Sequence, residues 1–225
     1  MSSSPVRIRV WDLPTRIFHW TLVVLVVFSF TTGKIGGSWM DWHLRSGYAI
    51  LTLLLFRLAW GVVGSSTSRF SVFVRGPAAF IQYARGLISK QHRGAVGHNP
   101  MGGWMVVFML VLLLAQASTG LFSDDDIATQ GPLAVKVSNA VVGQMSTFHH
   151  WNSWAIAIAA MLHILAIAFY WFRLRDNLVL PMWNGWRDAD ADVVQPRVAA
   201  SWLAAILLAI AAGAVYWLVV AYPKG

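Results

Sequence analysis

Histidine is the residue type in this chain best suited to carry chemistry. Five of the seven histidines lie within or at the ends of long apolar stretches: His19, His43, His149, His150 and His163. An ionisable side chain is costly to place in such a stretch, so each of these residues is a candidate for function. A neutral imidazole binds metals, haem iron among them, through a ring nitrogen. The pattern therefore predicts metal or haem ligation between apolar helices.

Spacing discriminates among these histidines. His149 and His163 are 14 residues apart, which in a helix leaves them about 40° out of phase and about 21 Å apart along the axis. They would share one helix face near opposite membrane surfaces. His150 would lie roughly 140° from His163 and point elsewhere. We therefore expect His149, and not His150, to be a ligand.

The order of the apolar stretches assigns the ligands to two depths. His19 lies near the start of the first stretch, and His43 lies near the start of the second, which runs in the opposite direction. His43 and His149 then share an outer level, and His19 and His163 share an inner level. This predicts two bis-histidine haem sites between facing helices. Room for two flat macrocycles would come from small side chains at Gly47, Ser153 and Ala160.

Arg57 supports the haem hypothesis. It follows His43 by 14 residues in an otherwise apolar helix, which places it near the inner level. A buried guanidinium needs an anion, and the five apolar stretches carry no carboxylate away from their ends, so we expect a haem propionate as its partner. His98 could hydrogen-bond a propionate or cap a helix with Asn99, and we favour a supporting role.

Composition sets the class of protein. The chain has 225 residues, 57% of them hydrophobic and 12% charged, with 13 Trp. This is too little polar surface for a soluble domain of that size. The net charge of +8 resides mainly in loops beside apolar stretches, so nucleic acid is not expected as a partner. The absence of cysteine excludes Cys-ligated iron–sulfur clusters and covalent haem attachment.

Five stretches are long enough to cross a bilayer. We predict an all-α integral membrane protein, with a four-helix haem-binding bundle over residues 1–180, a polar linker over 181–197, and a fifth transmembrane helix with a short outer tail over 198–225. The predicted spans are Ile17–Thr32, His43–Val63, Met101–Phe122, Phe148–Phe172 and Val198–Val220.

Charge bias predicts the orientation. One side of the membrane would hold 12 of the cations, and these precede the first span or lie between spans 2 and 3 or 4 and 5. The positive-inside rule then makes the N-terminus cytoplasmic. The cations on this side are Arg7, Arg9, Arg16, Arg69, Arg75, Arg85, Lys90, Arg93, Arg173, Arg175, Arg187 and Arg197.

Over residues 6–180 the chain resembles the bacterial cytochrome b561 and Ni/Fe-hydrogenase b-type cytochrome subunit family. The resemblance lies in five motifs taken together. They are Val10-Trp11-Asp12-Leu13-Pro14-Thr15-Arg16-Ile17-Phe18-His19-Trp20, His43-x-x-x-Gly47-Tyr48, Arg57-x-x-Trp60-Gly61, Gly97-His98-Asn99-Pro100-x-Gly102-Gly103, and the His149/His163 pair.

The resemblance implies two haems b, with His19, His43, His149 and His163 as ligands, and a quinone site. It also implies electron exchange with a hydrogenase or other redox-enzyme subunit, a periplasmic c-type cytochrome or, in one branch, superoxide. We expect ubiquinone or another quinone at the inner level, beside Arg16 and Tyr83. A homo-oligomer is left open.

Two other functions compete with electron transfer between quinone and a periplasmic partner. One is a superoxide:quinone oxidoreductase acting at the outer haem, with Lys34, Arg45 or Lys136 attracting the anion. The other is a histidine-lined proton or metal transporter without haem. Asp124, Asp125 and Asp126 form either a solvated turn or a docking patch for a basic partner.

Overall fold

The computed structural model describes residues 6–88 and 96–224. Lys90 and Arg93, which entered the predicted charge bias, lie outside the described residues, as does His92. The described elements are β1 (Val6–Arg9), α1 (Leu13–Ile35), α2 (Met40–Val63), α3 (Phe70–Phe73), α4 (Pro77–Ile88), α5 (Pro100–Gly120), α6 (Asn139–Arg173), α7 (Val179–Asn184), β2 (Trp186–Ala189) and α8 (Ser201–Tyr216), which a π-helical turn extends over Trp217–Ala221.

Five of these helices are long and apolar enough to cross a membrane, namely α1, α2, α5, α6 and α8 with its extension. They correspond to the five predicted spans, and the prediction of an all-α membrane protein is confirmed. Within the described residues, strand structure is confined to β1, β2 and one isolated bridge between Asp124 and Gln130.

Two helices, α1 and α6, begin well before the predicted spans, and a polar side chain lies at the start of each. The backbone N–H of Thr15 donates to Oδ1 of Asp12 at 2.7 Å, so α1 begins at Leu13. The hydroxyl oxygen of Ser138 lies 3.5 Å from the backbone N–H of Val141, and α6 begins at Asn139. The 35 residues of α6 correspond to roughly 52 Å of helix, longer than a hydrocarbon core of about 30 Å.

The chain forms two compact units. The first comprises Met1–Ile17, Leu58–Phe108 and Met161–Ala204. In it, β1 pairs antiparallel with β2, from Val6 opposite Ala189 to Arg9 opposite Trp186. β2 lies in the segment predicted as a polar linker. Three buried residues in β1 or directly after it pack against Met182, Ala189 and Val193, namely Ile8, Val10 and Trp11.

A buried polar cluster joins the start of α1 to the end of α2 in the first unit. Asp12 is 1% exposed, and its Oδ2 accepts hydrogen bonds from Nε1 of Trp60 at 3.2 Å and from the hydroxyl of Ser68 at 3.4 Å. The hydroxyls of Thr15 and Ser68 are 2.7 Å apart. The carboxylate is therefore satisfied by donors from three segments.

The second unit comprises Phe18–Arg57, Met109–Ala160 and Ala205–Gly225. The fifth span belongs to its core, because Val215 is 3% exposed and packs with Leu51, Leu121 and Leu133. Leu218 and Val219 extend the same contact. The last helix is thus an integral part of this unit's packing.

Candidate functional site

Two of the predicted ligands meet in the second unit. The imidazole rings of His43, on α2, and His149, on α6, have centroids 6.0 Å apart and planes at 85° to each other. His43 lies one turn into α2, and His149 lies ten residues after the start of α6. The two side chains predicted to share the outer level are therefore brought together.

Backbone carbonyls fix the tautomer of both rings. Nδ1 of His43 lies 2.8 Å from the carbonyl oxygen of Ser29 on α1, and Nδ1 of His149 lies 3.0 Å from that of Gln116 on α5. A carbonyl oxygen can only accept, so each Nδ1 carries the hydrogen and donates it. Each Nε2 then keeps its lone pair, the state in which an imidazole binds a metal.

Each imidazole also lies against a glycine of the helix that supplies this carbonyl. A Cβ placed on Gly33 would lie 2.8 Å from Nδ1 of His43, and one placed on Gly120 would lie 2.9 Å from Cε1 of His149. Both distances are shorter than van der Waals contact, so a side chain at either position would displace the ring. Neither Gly33 nor Gly120 was predicted from the sequence to take part in the site, although each follows a threonine near the end of an apolar stretch.

A cavity of about 310 Å³ adjoins the histidine pair. Gly47 and Ser153, which were predicted to leave room, line it, and a Cβ on Gly47 would meet no atom within 4 Å. The remaining wall is largely apolar and includes Leu51, Leu113 and Ile156. The volume falls in the range of cofactor pockets.

The residues present fit an iron held between two imidazoles. If two metal–nitrogen bonds of roughly 2 Å lie on one line, and each nitrogen lies about 1 Å from the centre of its ring, the two ring centres are about 6 Å apart. The observed separation is 6.0 Å. Among residues 6–88 and 96–224, no three His, Cys, Asp or Glu side chains are grouped to hold a bare metal ion. A haem needs only two axial ligands from the protein.

Comparison with known proteins identifies the family. A family model described as "Prokaryotic cytochrome b561" matches residues 10–185. The chain belongs to the prokaryotic cytochrome b561 family. A b-type cytochrome carries haem b and transfers electrons, so the family implies haem-dependent electron transfer in a membrane. The recognition made from the sequence motifs is confirmed.

The chain is similar to several hydrogenase cytochromes over most of its length. A protein of Azotobacter chroococcum mcd 1, described as a probable Ni/Fe-hydrogenase B-type cytochrome subunit, is 26% identical over 211 residues, covering 80% of this chain and 88% of that protein. A protein of Rhodobacter capsulatus with the same description is 21% identical over 220 residues, covering 84% of each. No solved structure matches the chain.

The other two predicted ligands of this cytochrome lie in different units. His19 belongs to the second unit, where its ring lies edge-on to Trp20 with centroids 5.0 Å apart. His163 belongs to the first unit. Both side chains are half-buried, and their pairing stays a prediction. Arg57 is 3% exposed, as expected for a guanidinium inside a span.

Asn99 caps α5, and His98 lies in an aromatic pocket of the first unit. The Oδ1 of Asn99 accepts a hydrogen bond from the backbone N–H of Gly102 at 2.8 Å. The ring of His98 lies between Trp11 and Phe73, at centroid distances of 4.7 and 4.6 Å. His98 was expected either to hydrogen-bond a propionate or to cap the helix. The cap of α5 is provided by its neighbour Asn99.

A hydrogen-bonded tyrosine pair lies beside Asn99. The hydroxyls of Tyr83 and Tyr170 are 3.0 Å apart, and Nδ2 of Asn99 donates to the hydroxyl of Tyr170 at 2.9 Å. Burial and the hydrogen bond to Tyr170 raise the pKa of Tyr83 well above its usual value, so it remains protonated. Arg16 donates from Nη1 to the carbonyl of Asn184 at 3.2 Å. This cytochrome therefore has a protonated donor cluster in its first unit.

The acidic segment forms a turn at the rim of the histidine cavity. Asp124 and Asp125 line the cavity, and Oδ1 of Asp125 accepts three backbone hydrogen bonds, the shortest from Thr129 at 2.8 Å. Burial slightly raises the pKa of Asp125, but the donors at Thr129, Ala128 and Ile127 outweigh it and hold the pKa below its usual value. Lys34 also lines the cavity, with its ammonium 4.4 Å from the ring centre of Trp154.

Proposed function

We propose that this protein is a membrane cytochrome with two haems b, which transfers electrons between the quinone pool and a redox partner on the periplasmic side. The observation that carries this proposal is the His43–His149 pair, whose separation and tautomers suit axial ligation of one haem. Membership of a cytochrome family argues against the haem-free transporter.

The second haem would lie at the inner level, between His19 and His163. Its support is the helix geometry of α6, where 14 residues separate His149 from His163 and place them about 21 Å apart on nearly the same face. Arg57, buried 14 residues after His43 in α2, would neutralise a propionate at that level.

In this mechanism haem iron supplies the reversible one-electron step. The protein holds each imidazole by its Nδ1–H, which restricts rotation of the ring and would leave Nε2 free to bind the metal. The largely apolar wall of the cavity would limit how much solvent reorganises when the charge on the site changes. These are the contributions of the chain itself.

Quinone would bind near the inner haem, on the cytoplasmic side. Quinone reduction consumes protons as well as electrons, and Tyr83, Tyr170 and Asn99 form a protonated hydrogen-bond cluster. Tyr170 follows His163 by seven residues, which is about two helical turns along the same face of α6. Arg16, in the same unit, could balance negative charge on a reduced quinone.

The orientation follows from the charge bias. With most cations on the side of the N-terminus, that side would be cytoplasmic and the His43–His149 pair would lie near the periplasmic surface of a bacterial inner membrane. The relatives are described as hydrogenase subunits, which favours a redox-enzyme subunit as the periplasmic partner. A c-type cytochrome is the alternative partner, and the acidic turn at Asp124–Asp126 would suit its basic surface.

Superoxide:quinone oxidoreduction is the second candidate function. It is favoured by Lys34, which lines the histidine cavity and could attract a small anion towards the outer haem. Rapid reduction of the purified ferric protein by superoxide, slowed by Lys34→Gln, would support it. The same rate in both proteins would argue against a role for Lys34.

Haem counting tests the main proposal. Reduced-minus-oxidised spectra and pyridine-haemochrome analysis should give two haems b per chain in the purified protein. His43→Ala and His163→Ala should each lose one haem, and the two variants should retain different haems, recognised by their potentials. A colourless protein, or loss of the same haem in both variants, would overturn the proposal.

A further inference from the structure

Two matching structural devices hold the outer histidines. Each consists of a backbone carbonyl, a threonine three residues later and a glycine four residues later, and we refer to these as the imidazole seats. The first seat is on α1, with Ser29, Thr32 and Gly33. The second is on α5, with Gln116, Thr119 and Gly120.

The hydrogen bonding repeats from one seat to the other. The hydroxyl of Thr32 donates to the carbonyls of Phe28 at 2.9 Å and Ser29 at 3.1 Å. The hydroxyl of Thr119 contacts the carbonyls of Ala115 at 2.7 Å and Gln116 at 3.2 Å. In both seats the threonine therefore shares its second carbonyl with the Nδ1–H of a histidine.

We propose that the two seats hold His43 and His149 with crossed ring planes and that Thr32 raises the reduction potential of the haem between them. This inference rests on the proposed haem ligation at His43 and His149. It assigns a positioning role to Ser29, Thr32 and Gly33 on α1 and to their counterparts on α5.

The electronic effect follows from the shared carbonyl. A histidine that donates strongly through Nδ1–H gains basicity and gives more electron density to iron, which stabilises the ferric state. A carbonyl that already accepts from a threonine is a weaker acceptor for the histidine. Thr32 should thus reduce electron donation by His43 and favour the ferrous state. Thr32 is 1% exposed, so water would not replace its hydroxyl.

The crossed planes follow from the positions of the seats. The two carbonyls belong to different helices, α1 and α5. Gly33 allows the ring of His43 to lie directly against α1, and Gly120 allows the ring of His149 to lie directly against α5. The resulting angle between the rings is 85°. Perpendicular axial imidazoles leave two iron d orbitals nearly equal in energy, which produces a strongly anisotropic low-spin ferric EPR signal. Parallel rings produce a rhombic signal instead.

A redox titration of the purified full-length protein tests the threonine. Thr32→Val keeps the shape of the side chain and removes the hydroxyl. Its neighbour Thr31→Val is the matched control, because the hydroxyl of Thr31 donates only to Val27, at 2.8 Å, and is exposed. We expect Thr32→Val to lower the potential of the haem that His43→Ala removes, and Thr31→Val to leave it unchanged. Equal potentials in wild type and Thr32→Val, or equal shifts in both variants, would overturn the threonine's role.

EPR spectroscopy tests the ring planes. The ferric signal that His43→Ala removes should be the strongly anisotropic one, and a rhombic signal would overturn the crossed arrangement. Gly120→Ala should shift or abolish that signal, whereas Gly143→Ala, at a position where a Cβ meets no atom within 4 Å, should preserve it. If Gly120→Ala does not assemble, the wild-type EPR signal still tests the crossed ring planes and the Thr32→Val titration still tests the role of the threonine.

Haem content separates failure of this inference from failure of the proposed function. A wild-type protein without haem would refute both. Suppose that the protein holds two haems and that each is lost when its own histidines are replaced. A rhombic EPR signal from the haem at His43 and His149, together with no effect of Thr32→Val, would then refute only the role proposed for the imidazole seats.

Discussion

The indole Nε1–H of Trp60 donates to Oδ2 of Asp12 at 3.2 Å, although the two residues are 48 positions apart in the chain. Trp60 is fully buried and Asp12 nearly so. The same carboxylate caps α1 through the backbone N–H of Thr15. One side chain thus caps the first membrane helix and ties its start to the last turn of the second.

Replacing Asp12 by Ala should destabilise the protein. The substitution removes the carboxylate that accepts from the buried indole of Trp60 and that caps α1, which together should cost about 2–4 kcal/mol. We expect a lower midpoint of thermal unfolding in detergent, followed by the loss of haem absorbance on heating. Asp188→Ala, at an exposed position, is the control and should unfold like wild type.

Replacing His149 by Ala should remove one haem, whereas replacing His150 by Ala should remove none. His149 lies against His43 and donates to α5. His150 also lines the cavity, but its side chain is exposed and lies edge-on to Trp151. Haem quantification of the two purified variants provides the measurement. If the His149→Ala variant retained two haems, His149 would be excluded as a haem ligand.

Replacing Tyr83 by Phe should slow haem reduction by quinol about tenfold or more, because a proton donor placed in the cluster is lost. Reduction by dithionite, which needs no quinone site, should remain unchanged. Stopped-flow absorbance with a soluble quinol measures the rate. Tyr216→Phe, at an exposed position on α8, is the matched control. Equal quinol rates in Tyr83→Phe and wild type would argue against quinone chemistry at this cluster.

The acidic turn should lose stability at low pH. The pKa of Asp125 is held below its ordinary value of 3.8 by backbone donors. The ionised carboxylate therefore stabilises the turn fully above that value, and this stabilisation is lost as the pH falls through the depressed pKa. NMR shifts of the Ile127, Ala128 and Thr129 amides should report this transition. In Asp125→Asn the same amides should show no transition of this kind, and an unchanged titration would contradict the assignment.

The membrane helices and the His43–His149 pair could be predicted from the sequence because both depend on local regularities. Apolar runs of about 20 residues reveal spans, and the 100° step of the helix relates His149 to His163 and separates it from His150. The prediction that His43 and His149 lie at the same level required only the further assumption that successive spans alternate in direction. The structure places these two rings 6.0 Å apart.

The features that the sequence did not reveal depend on contacts between distant segments. Gly33 and Gly120 resemble ordinary helix-end glycines until a histidine from the following long helix is found against each. The strand Val6–Arg9 has only four residues, and its partner Trp186–Ala189 lies in a segment that reads as polar linker. The early start of α6 was hidden because residues 139–147 are too polar to count as membrane span.

The pairing of β1 with β2 has a consequence for biosynthesis. Val6–Arg9 leaves the ribosome before Trp186–Ala189, which follows only after four membrane helices have been made, a delay of roughly 10–40 s at normal translation rates. During that interval β1 lacks the strand with which it pairs. The two-stranded sheet can therefore close only when insertion of the four preceding helices into the bilayer is nearly complete.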